Sequence, residues 1–283
     1  MKIGFVTDST ADLPAELAGR HGIEVVPAIV NIGSNSYSDG IDISREDFYT
    51  RLPNLFPTPT TSSPSVGSIQ ERYEKLLQAG ADFVISIHPP NELSGIFNAA
   101  RLAAEAFGQR VKVLDSGQVS LGLGFQVLMA AEAAARGAIM DEVTALVDGV
   151  RQRVRLVALL DTMEYIHRSG RVSWAVAKIG GIFRLQPLIE LRFGIVHRLG
   201  LARTRLQGVE RLLDSLNSWG PLERLAVLHT NAESAARSLL EDVKSKGMVH
   251  SMLVNVTTAI GTHVGPNGLG FAAVPIETST TFR

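Results

Sequence analysis

Cysteine is absent from this 283-residue chain. That excludes disulfides, iron–sulfur clusters, thiolate zinc sites and a cysteine nucleophile, and it agrees with a reducing cytoplasm. Aromatic residues reach only 6%, too few for a platform that stacks single-stranded bases. Charge of one sign is lacking as well: 27 Lys and Arg against 28 Asp and Glu leave a net charge of −1, so bulk charge points neither to nucleic acid nor to an acidic tail. No apolar run approaches the roughly 20 residues of a membrane span; the apolar stretches are short pieces such as Phe83-Val84-Ile85. Met1–Asp8 has no signal-peptide apolar core and reads as the first strand of a soluble domain. The phosphate-loop pattern Gly-x-x-x-x-Gly-Lys-Ser/Thr is missing, which excludes a Walker-type ATP site. A Gly-x-Ser-x-Gly elbow is missing too, which argues against the common α/β serine hydrolase. The 7 histidines are scattered without a short His/carboxylate ligand spacing, so no metal or other cofactor is expected.

What is present is ordinary globular material, 45% hydrophobic and 19% charged, enough to bury a core in one large or two modest domains. The first half alternates short β-rich runs with helical periodicity. Strands are expected at Lys2–Val6, Ile23–Ile32, Asp82–Ile87 and Val111–Leu114. Helices are expected at Pro14–Arg20, Arg45–Leu52, Ser65–Gln78, Leu93–Phe107, Val119–Arg136 and Asp141–Arg153. This βα alternation predicts a three-layer α/β/α domain with a parallel sheet over residues 1–150. In the second half, strands are expected at Leu156–Leu160, Arg224–His229 and Ser251–Val256, and Leu188–His197 reads as a hairpin turning at Gly194. Helices are expected at Thr162–His167, ending at Gly170, and at Val209–Trp219 and Ala232–Lys246. Residues 151–283 therefore read as a smaller α/β domain with a mixed sheet.

Open α/β sheets bind ligands at the carboxyl ends of their strands, and those ends are polar here: Asp8-Ser9, His88 and Asp115-Ser116. Ser94-Gly95 stands at an expected helix start, where free N–H groups and the helix dipole favour an anion and Gly95 lets a ligand approach the backbone. Thr60-Thr61-Ser62-Ser63 is a second hydroxyl cluster, in a loop bounded by Pro59 and Pro64. Thr262–Gly270 reads as a glycine-rich loop after a strand, with a plain turn as the alternative. Between residues 151 and 211, eleven arginines and Lys178 stand against four carboxylates. That excess suits a face for an anionic or acidic partner, unless it reflects only the arginine-rich usage of the whole chain.

A further set of segments stands in order along the chain: Thr7-Asp8-Ser9-Thr10-Ala11-Asp12-Leu13-Pro14, Thr61-Ser62-Ser63-Pro64-Ser65, Leu93-Ser94-Gly95 and Val113-Leu114-Asp115-Ser116, together with Asp161–Ile166 and Gly170-Arg171, Gln186-Pro187-Leu188-Ile189 and His263-Val264-Gly265-Pro266. Taken together and in order, these segments resemble the DegV family. They run along nearly the whole chain. The resemblance implies two domains with a long-chain fatty acid buried between them. It implies a carboxylate held by Thr61, Ser62, Ser94 and Gly95 with His263 beside it. It also implies that Arg171, with Arg203 or Arg205, faces a fatty acid kinase subunit that supplies ATP, the chain itself being a cytoplasmic, non-catalytic lipid carrier for phospholipid synthesis. The sequence departs from the family pattern at Ser63, Ile96, Ser169, Gln186, Val264 and Asn267, which bears on the head-group bonding. Helix Leu121–Ala135 is a candidate tunnel wall, with plain core packing as the alternative. Two other readings compete: an enzyme acting on a small phosphorylated or hydroxylated metabolite, which needs a compact polar pocket, and a lipid sensor or transporter.

Overall fold

The computed structural model describes residues 1–172, 185–245 and 251–277. Strand β1 (Ile3–Asp8) leads through α1 (Ala15–Arg20) to β2 (Ile23–Val26). The β-branched run expected to be one strand over Ile23–Ile32 is two. Pro27 lacks an N–H and fixes φ, so the chain leaves the first sheet there and starts β3 (Ile29–Ile32), which hairpins into β4 (Asn35–Ser38). Next come α2 (Arg45–Arg51), with the Ser44 side chain accepting the Asp47 N–H, and β5 (Thr60–Ser62). Ser65 caps α3 (Val66–Gln78) in the same way by accepting the Ser68 N–H. Then β6 (Phe83–His88), α4 (Ile96–Ala104), β7 (Val111–Asp115), α5 (Ser120–Ala135) and α6 (Met140–Arg153) complete the first half.

In the second half β8 (Arg155–Leu159) is followed by α7 (Glu164–Ser169), β9 (Gln186–Arg192) and β10 (Ile195–Ala202). Phe193 and Gly194, both at positive φ, make the two-residue turn between β9 and β10, the conformation that matches the twist of paired strands. The Gly194 N–H donates to the Gly117 carbonyl at 2.8 Å, docking the hairpin tip on the first half. The remaining elements are α8 (Arg205–Asn217), β11 (Leu222–His229), α9 (Glu233–Ser245), β12 (Ser251–Asn255), α10 (Thr258–Val264) and β13 (Leu269–Pro275). The expected helix end at Lys246 lies outside the described residues. The expected loop Thr262–Gly270 divides differently: Thr262 and His263 are helical, and Leu269-Gly270 opens a strand. Sequence periodicity does not announce that strand, because Leu269–Pro275 has few β-branched residues, yet it is central in its sheet.

The described residues form three sheets. One is fully parallel, in the order β2-β1-β6-β7. One is mixed, in the order β10-β9-β8-β13-β11-β12, with only β11 and β12 parallel. The third is a small antiparallel sheet, β4-β3-β5. The parallel sheet is covered on both faces, by α3 and α4 on one and by α5 and α6 on the other. The mixed sheet carries α8 and α9 on one face and packs its other face against α5 and α6.

Helix α5 is therefore shared. Leu121, Phe125 and Met129, four residues apart, face the mixed sheet. Leu123, Val127 and Ala131 face the parallel sheet. Every residue from Ser120 to Ala131 is buried, which is why the helix is apolar all round rather than striped. Gly124 lets it sit against the turn after β1: a Cβ there would lie 2.5 Å from the Ala11 carbonyl. Gly124→Ala is expected to cost about 1–3 kcal/mol through overpacking. Gly149→Ala, exposed on α6 with open space around it, should gain up to about 1 kcal/mol from helix propensity. Chemical denaturation of the two variants checks this; shifts of the same sign would contradict the packing of α5.

Candidate ligand-binding site

A cavity of about 560 Å³ lies where the carboxyl edge of the parallel sheet meets the inner face of the mixed sheet, within the size range of small-molecule sites. Its floor is apolar. Leu156 and Ala158, two apart on β8, point into it, as do Ile189 and Leu191 on β9 and Leu228 on β11. The intervening Val157 and Leu159 face the opposite core, as strand alternation requires. Of α5 and its lead-in, only Val119 and Ser120 reach the cavity. The helix is a core element and not a tunnel wall.

The polar end is assembled from both halves. Thr61 sits on β5, and its hydroxyl is 2.8 Å from Nε2 of His263 near the end of α10. Ser62 borders the cavity, but its hydroxyl accepts from Nδ2 of Asn31 at 3.3 Å, since successive residues of a strand point to opposite sides. Ser63, the last residue of the hydroxyl cluster read in the sequence, lines the cavity as well, and Gly95 makes room for it: a Cβ at Gly95 would lie 3.0 Å from the Ser63 hydroxyl. Ser94 stands just before α4 and accepts the Ile96 N–H at 3.4 Å. Among the described residues no acceptor takes the Ser94 hydroxyl proton, which leaves it for a ligand. Gly95 is exposed, so this end of the cavity is its mouth.

Arg171 borders the same end. Its Nη1 donates to the Ser169 carbonyl at 2.6 Å, fixing the guanidinium beside the turn after α7. Arg203 and Arg205 do not line the cavity. The Arg203 N–H donates to Oε1 of Gln207 at the start of α8, and Arg205 is half-buried, with burial drawing its pKa down against the pull of nearby Asp161. Part of the arginine-rich zone, including Lys178, lies outside the described residues. Burial pulls the His263 pKa down to about 4, and Arg171 pushes it in the same direction. The imidazole is therefore neutral at physiological pH. The mouth thus offers hydroxyls, a neutral imidazole and one guanidinium. It can hold a single anionic head group without burying an ion pair.

A second polar network lies beneath the parallel sheet. Asp8 Oδ2 is 2.7 Å from His88 Nδ1, and His88 Nε2 is 2.7 Å from Ser86 Oγ. The order imitates a nucleophile triad. However, all three residues are fully buried, and the Tyr73 hydroxyl donates to Ser86 at 2.9 Å, so no substrate reaches the serine. Among the described residues no group of three or more His, Cys, Asp or Glu could hold a metal ion, and no helix is long and apolar enough to cross a membrane.

A family model described as an uncharacterised protein of the DegV family matches residues 2–275. A DegV domain-containing protein of Streptomyces coelicolor is 33% identical over 272 residues, which is 95% of this chain and 96% of that protein. The structure of a fatty-acid-binding DegV family protein from Thermus thermophilus superposes with a TM-score of 0.90 at 32% identity, covering 98% of this chain and 100% of that one. DegV of Bacillus subtilis, also a fatty acid binding protein, superposes with a TM-score of 0.85 at 30% identity, over 97% and 99% of the two chains.

The partly buried imidazole has a measurable consequence. With its folded pKa near 4 and an ordinary value of 6.5, His263 favours the folded state fully above about pH 6.5, and that contribution is lost as pH falls towards 4. The His263 ring resonances are expected to stay fixed between pH 5 and 8 in NMR titration. A midpoint near 6.5 would show that the ring is solvated and not locked against Thr61.

Proposed function

Because this chain belongs to the DegV family, we propose that it binds one long-chain fatty acid, the acyl chain lying against β8, β9 and β11 and the carboxylate at the mouth formed by Thr61, Ser94, Gly95 and His263, with Ser62 at the rim. The observation that carries this reading is the division of the cavity into an apolar floor and a hydroxyl-lined mouth. The solved relatives from Thermus thermophilus and Bacillus subtilis, both fatty acid binding proteins, support it. A chain of about 15 methylenes gains roughly 12 kcal/mol on burial before the costs of association, so affinity needs no strong ion pair at the head. A small polar metabolite would leave those apolar walls unsatisfied, which disfavours the enzyme reading.

Once bound, the carboxylate would be presented, rather than transformed, by this chain. Hydroxyl donors hold it while leaving an oxygen free to attack a phosphoryl donor. Since the sequence has no phosphate-binding loop, nucleotide and metal would come from a separate kinase subunit, with acyl phosphate as product. Arg171 at the mouth, and Arg203 and Arg205 outside the cavity, are the residues assigned to that partner.

Organic extraction of the purified protein and mass spectrometry of the extract should reveal a long-chain fatty acid in stoichiometric amount; no lipid, even after incubation with fatty acids, would overturn the reading. Ser94→Ala is expected to weaken fatty acid binding about tenfold, the scale of one hydrogen bond to a charged group, without lowering the melting temperature. Arg171→Ala should reduce acyl phosphate formation with the cognate kinase more than it reduces lipid affinity. Equal losses would place Arg171 on the ligand instead.

A further inference from the structure

Helix α10 follows β12 and precedes β13 of the mixed sheet, and it packs on α7 of its own half and also on α2, β3 and β5 of the first half. Its start is tied to the first half by a buried polar knot at the corner Asn255–Thr258. Asp12 Oδ1 accepts the Thr257 N–H at 2.8 Å, and its other oxygen accepts the Ser120 hydroxyl at 2.6 Å. Asp39 accepts the Thr258 N–H at 3.2 Å, the Thr258 hydroxyl at 2.5 Å and the Thr257 hydroxyl. Arg45 reaches Asp12 at 3.3 Å and donates to the Asn255 carbonyl. The Tyr49 hydroxyl donates to the Val256 carbonyl at 2.9 Å. Asp12 and Asp39 are both buried, and together these side chains tie the first half to a four-residue corner of the second.

We propose that Asp12, Asp39 and Arg45 are positioning residues for the carboxylate site, fixing the start of α10 so that His263 meets Thr61 across the cleft. This role rests on the carboxylate-binding function proposed for the mouth. His263 lies five residues beyond Thr258, about 7–8 Å along the helix axis, with no flexible segment between them. Thr61 stands on β5, which pairs with β3, the strand that continues through β4 to Asp39. One rigid unit therefore carries both Thr61 and the anchor of His263. The backbone supports this: Asp12 and Ser120 both adopt positive φ, at 55° and 50°, a conformation that non-glycine residues keep where the surrounding structure demands a particular geometry. Ser120 itself lines the cavity, so the knot touches the ligand space at one end and the head-group helix at the other.

The test compares palmitate with methyl palmitate, which share the acyl chain and differ at the head, by displacement of a fluorescent fatty acid. The wild type is expected to prefer the acid. Asp39→Ala should lose about tenfold of that preference while keeping its affinity for the ester, a hydrogen-bond-sized effect on the head alone. Asp39→Asn, which keeps an acceptor for Thr258, should restore most of it. In a His263→Ala background Asp39→Ala should change nothing further, since the two act through one contact. If Asp39→Ala does not fold, Asp12→Asn serves: it keeps an acceptor for the Thr257 N–H, removes the charge facing Arg45, and should lose part of the preference. Equal weakening of acid and ester, or an unchanged preference beside a clear loss in His263→Ala, would overturn the positioning role and leave the carboxylate reading standing. A wild type without preference would overturn the carboxylate reading and this inference together.

Discussion

The arrangement depends on one helix buried from two sides. Helix α5 gives Leu121, Phe125 and Met129 to the core beneath the mixed sheet and Leu123, Val127 and Ala131 to the core beneath the parallel sheet. Each stripe recurs at the four-residue spacing that places side chains on one face of a helix. A helix in that position has no solvent face, and α5 carries only Gln126 and Ser120 as polar residues along its buried length. The two sheets are thereby held a helix apart, and the gap beyond the amino end of α5 becomes the cavity. The space for a ligand is the place where the shared helix stops.

That placement explains how the mouth is composed. Thr61, Ser94 and His263 come from three segments far apart in the chain, and they meet because β5, the turn before α4 and the end of α10 all border the cavity where α5 is absent. None of the three carries charge at neutral pH. A buried guanidinium would need a partner. Hydroxyls and a neutral imidazole can meet an anionic group without burying an ion pair. Arg171 stands at the rim with its guanidinium tied to the Ser169 carbonyl, where it contributes field without closing the site.

The sequence made the frame legible where local signals agreed with tertiary demands. The βα alternation of the first half, the helix starting after Ser44, the hairpin at Gly194 and the halt of α7 at Gly170 all rest on short-range chemistry, and each appears in the structure. The losses have physical causes too. Pro27 broke a run whose composition read as one strand. Leu269–Pro275 is a central strand built from alanine, glycine and single bulky residues, because Gly270 must lie against β8, where a Cβ would be 2.7 Å from the Val157 carbonyl. Local signals mark Ser94, at an expected helix start, and Thr61, in a hydroxyl cluster, whereas His263 is marked by motif order alone. Asp12 falls in a family motif but reads there as a cap, and nothing in the sequence singles out Asp39 or Arg45. Only the fold shows that they converge on Thr257 and Thr258.

The same convergence sets the electrostatics of α10 from both ends. At its start, burial outweighs Arg45 and the hydrogen bonds to Ser120 and Thr257, and the Asp12 pKa is pushed up to about 6. At its end, burial brings His263 down to about 4. Between these values the folded chain takes up a proton at Asp12, while the unfolded chain, with an ordinary histidine, already holds one at His263. Asp12 therefore gains stability as pH falls from about 6 towards 3.8, and His263 loses it as pH falls from 6.5 towards 4. The two contributions oppose each other over nearly the same window, so the proton balance of unfolding at this helix stays close to even through mild acid. Desolvation, which makes a buried carboxylate costly and a buried imidazolium costly alike, is the common cause. A helix anchored by an acid at one end and carrying a histidine at the other turns that shared penalty into compensation.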